Sequence, residues 1–346
     1  MEWFEKNAES LCGAFGISLP HKTEHYPGER SDVLKLSCPE GAYALRRLHF
    51  TIGADGAEFI HRATRAISAD VPEALCNLET TGGEGYIILD GRIVTLCPWI
   101  SGEALPYNVE RKRDVASLMG RMHKASLNNA PKNIRSDRPP FCQLPSEKNY
   151  IFDIEGIRHV LYEDCSRMKA DNPDKESEVE YIISKRDDII RWHEEAFKFY
   201  TGVREAFPEM VKAPIHADIY DANIIWENGR IASLIDWDEC KLESLCYELS
   251  RALWEIAGIP DDDIKNLTDV QDFIREYYKA GGVVPKWELK YAFGFIRSIR
   301  TFDLLQYIYC SLIGDYYSVG YMLKNIHALD NLPYSMDLDQ LSDTDP

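Results

Sequence analysis

Two short stretches hold residues whose types and spacing suit chemistry: HADIYDAN, residues 216–223, and IDWDE, residues 235–239. Asp is disfavoured in strands and costly to bury without a partner, so carboxylates in an apolar run imply a use. Between the stretches, Asn228-Gly229 with apolar and β-branched flanks predicts a hairpin closed by a two-residue type I′ turn. Its register sets Glu227 against Arg230, Ile225 against Ala232 and Asn223 against Leu234. Side-chain alternation then makes Asp236 a diagonal neighbour of Asn223 on one face, with Cβ atoms about 7–8 Å apart.

An amide oxygen and a carboxylate converging in this way suit a hard cation. Mg2+ takes such oxygen ligands and keeps positions for water and phosphate. Asp218, in the loop before the hairpin, is placed to accept a proton from an attacking hydroxyl while metal holds the phosphates. Phosphoryl transfer asks mainly for positioning and charge neutralisation, and this set supplies both. His216 is expected to hold the loop through backbone hydrogen bonds.

The elements that must position these residues fall into two groups. The first hundred residues read as a helix at about 3–15, then strands at 31–38, 42–49 and 86–99 with turns at Gly41 and Asp90-Gly91, and a helix at about 56–68. From Glu110 onward helical periodicity dominates, over about 110–126, 176–206, 245–257, 269–280 and 286–314, with a Pro-rich loop at 136–145. The expected class is α+β, a small antiparallel β lobe (1–101) and a larger, mainly helical lobe (102–346), joined near 98–102.

The His-x-Asp-x4-Asn spacing of 216–223, the hairpin, and IDWD at its exit resemble the catalytic loop and metal-binding motif of the protein-kinase-like superfold. The whole run through CYELSRAL is most similar to the aminoglycoside phosphotransferase family, which includes choline and homoserine kinases. The resemblance implies a bilobal kinase-like fold, ATP and Mg2+ as cofactors, Asp218 as catalytic base, and Asn223 and Asp236 as Mg2+ ligands. Glu248 falls where that family has a structural Asp, and Asp238 is expected to add charge near metal or substrate. YALRR resembles the strand whose cation meets the α- and β-phosphates, here Arg46, with either Glu58 or His61 of the following helix as its partner. LCPWISG (96–102) resembles the hinge, where the carbonyl of Pro98 and the N–H of Ile100 would bind adenine. LMGRMHKAS resembles a family helix in which His123 is structural.

Departures are visible. Ala217 replaces the usual loop glycine, and YPGERSD (26–32) has a single glycine for covering phosphate. No Ala-Pro-Glu element follows IDWD, which disfavours a protein substrate. The resemblance spans about 20–325, and only 216–248 is highly specific.

Composition narrows the partners. The 346 residues carry 57 acidic against 39 basic side chains, a net charge of −18, which disfavours nucleic acid or an anionic membrane as partner. No stretch reads as transmembrane, and the start lacks the basic and apolar regions of a secretory signal. Nine cysteines without a CxxC pair indicate reduced thiols and a cytoplasmic location. The expected activity is ATP-dependent transfer of the γ-phosphoryl group to a small hydroxyl compound. The acids at 238, 239, 243 and 248 suit a cationic acceptor of aminoglycoside, choline or amino-alcohol type, with homoserine-like molecules open. A catalytically inactive nucleotide-binding relative and a Mg2+-dependent hydrolase are the alternatives.

Overall fold

The computed structural model describes residues 2–27, 31–135, 137–143, 153–256 and 267–332. Gly28–Arg30 of the expected phosphate-covering loop lie outside them, as do residues 144 and 145 of the Pro-rich loop. Packing divides the chain into two compact units. The first takes Met1–Pro140, Lys212–Leu245 and Glu276–Val283, and the second Phe141–Val211, Cys246–Arg275 and Val284–Pro346. The first unit includes the hairpin segment, which pairs with residues 103–104 and bridges to Ala74.

The first unit opens with two short helices, α1 (Glu2–Glu5) and α2 (Ala8–Phe15), where the sequence pattern read one. Strands β1 (Lys22–Pro27), β2 (Asp32–Cys38) and β3 (Gly41–Arg47) precede helix α3 (Ala54–Ser68), and β4 (Ile87–Leu89) and β5 (Arg92–Pro98) follow it. These strands form one antiparallel sheet in the order β1-β2-β3-β5-β4. Alternation puts Leu34, Leu36 and Cys38 inward, against Leu11, Cys12 and Phe15 of α2. The expected two-residue β4–β5 turn has Asp90 at φ 50° and Gly91 at φ 72°, both positive as in a type I′ turn.

Strand β6 (Glu103–Ala104) and helix α4 (Val109–Asn129) complete the N-terminal part of this unit. The second unit supplies α5 (Ile154–Arg158), α6 (Ser166–Asp171), α7 (Glu176–Ser184) and α8 (Arg186–Ala206). The chain then returns to the first as β7 (Lys212–Ile215), β8 (Ile224–Glu227), β9 (Arg230–Leu234) and β10 (Lys241–Ser244). β6, β8 and β9 pair in that order, and β7 pairs with β10. Helices α9 (Leu245–Glu255), α10 (Leu267–Lys279), α11 (Ala292–Ile313) and α12 (Val319–Asn331) follow.

In the second unit the ring of Phe141 sits between those of Tyr200, Tyr247, Phe295 and Phe302, with centroids 5.5–5.8 Å away. The long periodic pattern over 176–206 is broken at Lys185, whose ammonium reaches Asp330 on α12 at 2.7 Å. No Gly or Pro marks that break, so periodicity runs through it. The pattern over 286–314 begins as a 3-10 turn, Lys286–Tyr291, before α11.

β6 approaches β8 closely because Gly102 precedes it. Gly102 has φ 133°, and a Cβ there would lie 2.4 Å from the backbone oxygen of Trp226. Gly102→Ala should therefore lower stability by about 1–3 kcal/mol, read as a fall in the denaturant midpoint at unchanged slope.

Candidate active site

Asn228 at φ 52° and Gly229 at φ 75° close the β8–β9 hairpin in the expected turn, and Glu227 pairs with Arg230. The register then slips. A bulge between Ile225 and Trp226 sets Ile225 against Ser233 and Ile224 against Leu234, in place of the expected Ala232 and Asn223 partners. The cause is a distant segment. Leu234 donates its N–H to the Glu73 carbonyl (2.7 Å) and accepts from Leu75 (3.1 Å), while Ser233 Oγ donates to Glu73 (3.1 Å). One extra residue in β9 satisfies both the hairpin and this second edge. Asn223 consequently lies in a 3-10 turn, Asp221–Asn223, and Asp236 is left-handed at φ 62°, so strand alternation does not relate the two. Both nevertheless line one cavity.

The loop before the hairpin is tied internally. His216 is fully buried. Its Nε2 lies 2.8 Å from the Ile235 carbonyl, which only accepts, and its Nδ1 takes the Asp218 N–H at 3.2 Å. These partners define a neutral imidazole protonated at Nε2. The Trp237 ring packs on it, with centroids 4.6 Å apart. Asn223 Nδ2 donates to the Asp218 carbonyl (2.9 Å) and carboxylate (3.2 Å), so its Oδ1 is the atom left to face a ligand. Ala217 holds φ 69°, a left-handed conformation that is costly for a residue with a Cβ.

Arg46 reaches the same place from β3. Its Nη2 donates to Asp236 Oδ1 at 2.7 Å and to Asp238 Oδ2 at 3.1 Å, and Ser31 Oγ donates to Asp238 at 3.4 Å. Burial alone would push the Arg46 pKa down, and the carboxylates of Asp238 and Asp236 overcome it and raise it. Burial likewise pushes the Asp238 carboxyl up, against the pull of Arg46. Neither Glu58 nor His61 is the partner of Arg46 here. Helix α3 turns Ala57, Ile60 and Thr64 to the cavity, spaced three and four residues apart. His61 is buried, 3.6 Å from Glu79, and that burial lowers its pKa.

The turn carrying Asp238 is gripped by two arginines, Arg135 just before the Pro-rich loop and Arg138 within it. Arg135, almost wholly buried, donates Nη1 to the carbonyls of Asp238 (3.0 Å) and Cys240 (2.6 Å), and its other nitrogens to the Asp137 carboxylate. Arg138 makes a two-point bond to Glu239, at 2.6 and 3.0 Å. Glu243, fully buried, lies 3.3 Å from Lys241 and accepts the Ser244 N–H. Asp238, Glu239 and Glu243 thus each meet a cation of the same unit, Arg46, Arg138 and Lys241, with Arg46 shared between Asp238 and Asp236. Glu248 sits in α9, buried in the second unit, and His123 bonds Tyr277 at 2.9 Å as a structural residue.

The cavity measures about 360 Å³. Its walls are apolar at Val33, Ala44, Ile225 and Ile235, and it is bounded by Pro98, Trp99 and Ile100. Its polar lining includes Arg46, Asn223, Asp236 and Asp238. Pro98 has no N–H and that of Trp99 bonds the Ala42 carbonyl at 2.9 Å, while the Tyr26 ring packs at a tilt of 42° against that of Trp99, centroids 5.0 Å apart.

Residues 27–282 match the model of a known family, described as the phosphotransferase enzyme family, APH. The chain belongs to that family. This small-molecule phosphotransferase has the α+β, protein-kinase-like fold expected of it. Among solved structures it is similar to amicoumacin kinase hAmiN in complex with AMP-PNP, Ca2+ and Ami, at 13% identity and TM-score 0.65, covering 97% of this chain and 96% of that one. It is similar to spectinomycin phosphotransferase APH(9)-Ia in complex with ADP and spectinomycin, at 14% identity and TM-score 0.64, over 94% and 93% of the two chains. A microcompartment-associated aminopropanol kinase gives 14% identity and TM-score 0.63, over 94% of each chain. No curated protein matches the sequence. Among the described residues no helix is long and apolar enough to cross a membrane.

Two substitutions test the framework of the site. Arg135→Ala leaves the half-buried Asp137 carboxylate and two carbonyls without their donor and should destabilise the protein by about 1–3 kcal/mol, measured by urea unfolding. Ala217→Gly removes the cost of φ 69°, about 1–2 kcal/mol, and adds freedom to the unfolded chain. The net expectation is a gain of about 0.5–1 kcal/mol in the same assay.

Proposed function

We propose that this phosphotransferase moves the γ-phosphoryl group of ATP to a hydroxyl of a small molecule. The observation that carries the reading is a single cavity bounded by Pro98–Ile100 and lined by Arg46, Asn223 and Asp236. Its apolar walls suit a purine, and its polar lining suits a metal–polyphosphate. The Pro98 carbonyl and Ile100 N–H are assigned to the base, and Arg46 to the phosphates.

The donor set fits Mg2+: a neutral amide oxygen on Asn223, oriented by Asp218, and the 45% exposed side chain of Asp236. Among the described residues no cluster of three or more His, Cys, Asp or Glu side chains offers a softer metal an alternative. Bound there, Mg2+ would neutralise charge on the phosphate oxygens. Asp218 holds its carboxylate against the Asn223 amide and serves as the base that takes the acceptor proton. His216 keeps the loop in register with Ile235. The proposed lobes are 1–101 for nucleotide and 102–346 for catalysis and acceptor.

The acceptor proposed is a hydroxyl compound of aminoglycoside, choline, amino-alcohol or homoserine-like type. Its support is the family, together with the amicoumacin, spectinomycin and aminopropanol named for the similar structures. Glu239 and Glu243 add little weight towards a cation, since Arg138 and Lys241 pair with them, while Asp238 shares Arg46 with Asp236.

The test is mass spectrometry of pooled hydroxyl metabolites and aminoglycosides incubated with Mg-ATP. Wild type should add one phosphate to a member of the pool. Asp218→Asn should lower kcat by about 10²–10⁴-fold, with ATP affinity close to wild type. Full activity in the variant would remove Asp218 from its role, and a wild type that neither binds ATP nor transfers phosphate would sink the reading.

A further inference from the structure

Arg46 meets two carboxylates of unlike freedom. Asp236 is 45% exposed and is the residue assigned to metal. Asp238 is 19% exposed, and its turn is held by Arg135 at two carbonyls and by Arg138 through Glu239. Both carboxylates accept from the same nitrogen, Nη2, which has two hydrogens. As the site stands, those hydrogens are spent and the three side chains together carry one net negative charge. A free polyphosphate therefore meets repulsion and no open Nη2 donor. A divalent ion held by Asp236 would free one Nη2 donor of Arg46 for phosphate and would turn the local charge positive. Asp238, whose turn is clamped by Arg135 and Arg138, would keep its bond to Arg46.

We propose that Asp238 is a specificity-determining residue that makes the nucleotide site select the metal complex over free nucleotide. It does so by keeping the Arg46 cluster net negative until a cation arrives. The inference rests on the phosphotransfer reading above. It assigns Asp238 to the nucleotide and away from the acceptor, whose charge it was first expected to meet.

The experiment is calorimetric titration of the full chain with ATP, once with Mg2+ and once with EDTA, for wild type, Asp238→Asn and Asp238→Glu. Asn keeps the shape and an acceptor oxygen while removing the charge; Glu keeps the charge. Wild type should bind ATP far more weakly in EDTA. Asp238→Asn should tighten the metal-free binding by about 10- to 100-fold, the scale of one unit charge a few ångströms away in a partly buried site. Its Mg-ATP affinity and acceptor KM should move much less. Asp238→Glu should keep the dependence on metal, which a loss of packing alone would not predict. Thermal midpoints of the three proteins show that each is folded before its binding is compared.

Three results would overturn the inference and leave the kinase reading standing: metal-free affinity unchanged or weaker in Asp238→Asn, equal loss of metal dependence in Asp238→Glu, or a raised acceptor KM with both nucleotide affinities unmoved. Absence of Mg-ATP binding by wild type would instead fell the phosphotransfer reading, and this inference with it.

Discussion

A guanidinium set in a cavity wall must be compensated by charge, and the site is arranged around that requirement. Arg46 is 17% exposed, so its two carboxylates are structural necessities before they are functional ones. Asp238 can answer Arg46 only because its turn is held still, and Arg135 holds it by gripping the carbonyls on either side of Glu239. Arg135 is itself balanced by Asp137. The chain of compensation thus runs from β3 through the exit of the hairpin to the end of the Pro-rich region. Each charge in it would be costly without the next.

Around this ionic core the 216–223 loop is ordered by neutral hydrogen bonds. His216 is protonated at the nitrogen facing Ile235 and accepts at the other from Asp218, which ties the loop to the strand exit. Asn223 spends its amide nitrogen on Asp218 and keeps its oxygen for the cavity. Such an arrangement places a carboxylate and an amide oxygen at fixed positions before any ligand is present, which suits a reaction limited by positioning. The left-handed Ala217 and Asp236, two non-glycine residues in a costly conformation, stand at the two ends of this construction.

Much of this was legible along the chain. Asn228-Gly229 and Asp90-Gly91 demand positive φ at both turn residues, so the turn type follows from two letters. The inward alternation of Leu34, Leu36 and Cys38, and the His-x-Asp-x4-Asn spacing, are equally local facts. The pairing beyond Trp226 was not legible, since the bulge exists to satisfy Glu73 and Leu75, far away in sequence. Nor was the break at Lys185, where a bond to Asp330 accompanies an interruption that no breaker residue announces.

The sequence by itself determined the family and the turn geometries, because spacing, chirality and side-chain type act over a few residues. Tertiary structure alone decided the partners. It gave Arg46 to Asp236 and Asp238, not to Glu58 or His61, because α3 turns Ala57, Ile60 and Thr64 to the cavity. It also paired the acids at 238, 239 and 243 with Arg46, Arg138 and Lys241. Charge counts along a chain cannot show this, because Coulomb's law depends on distance in space, and folding sets that distance.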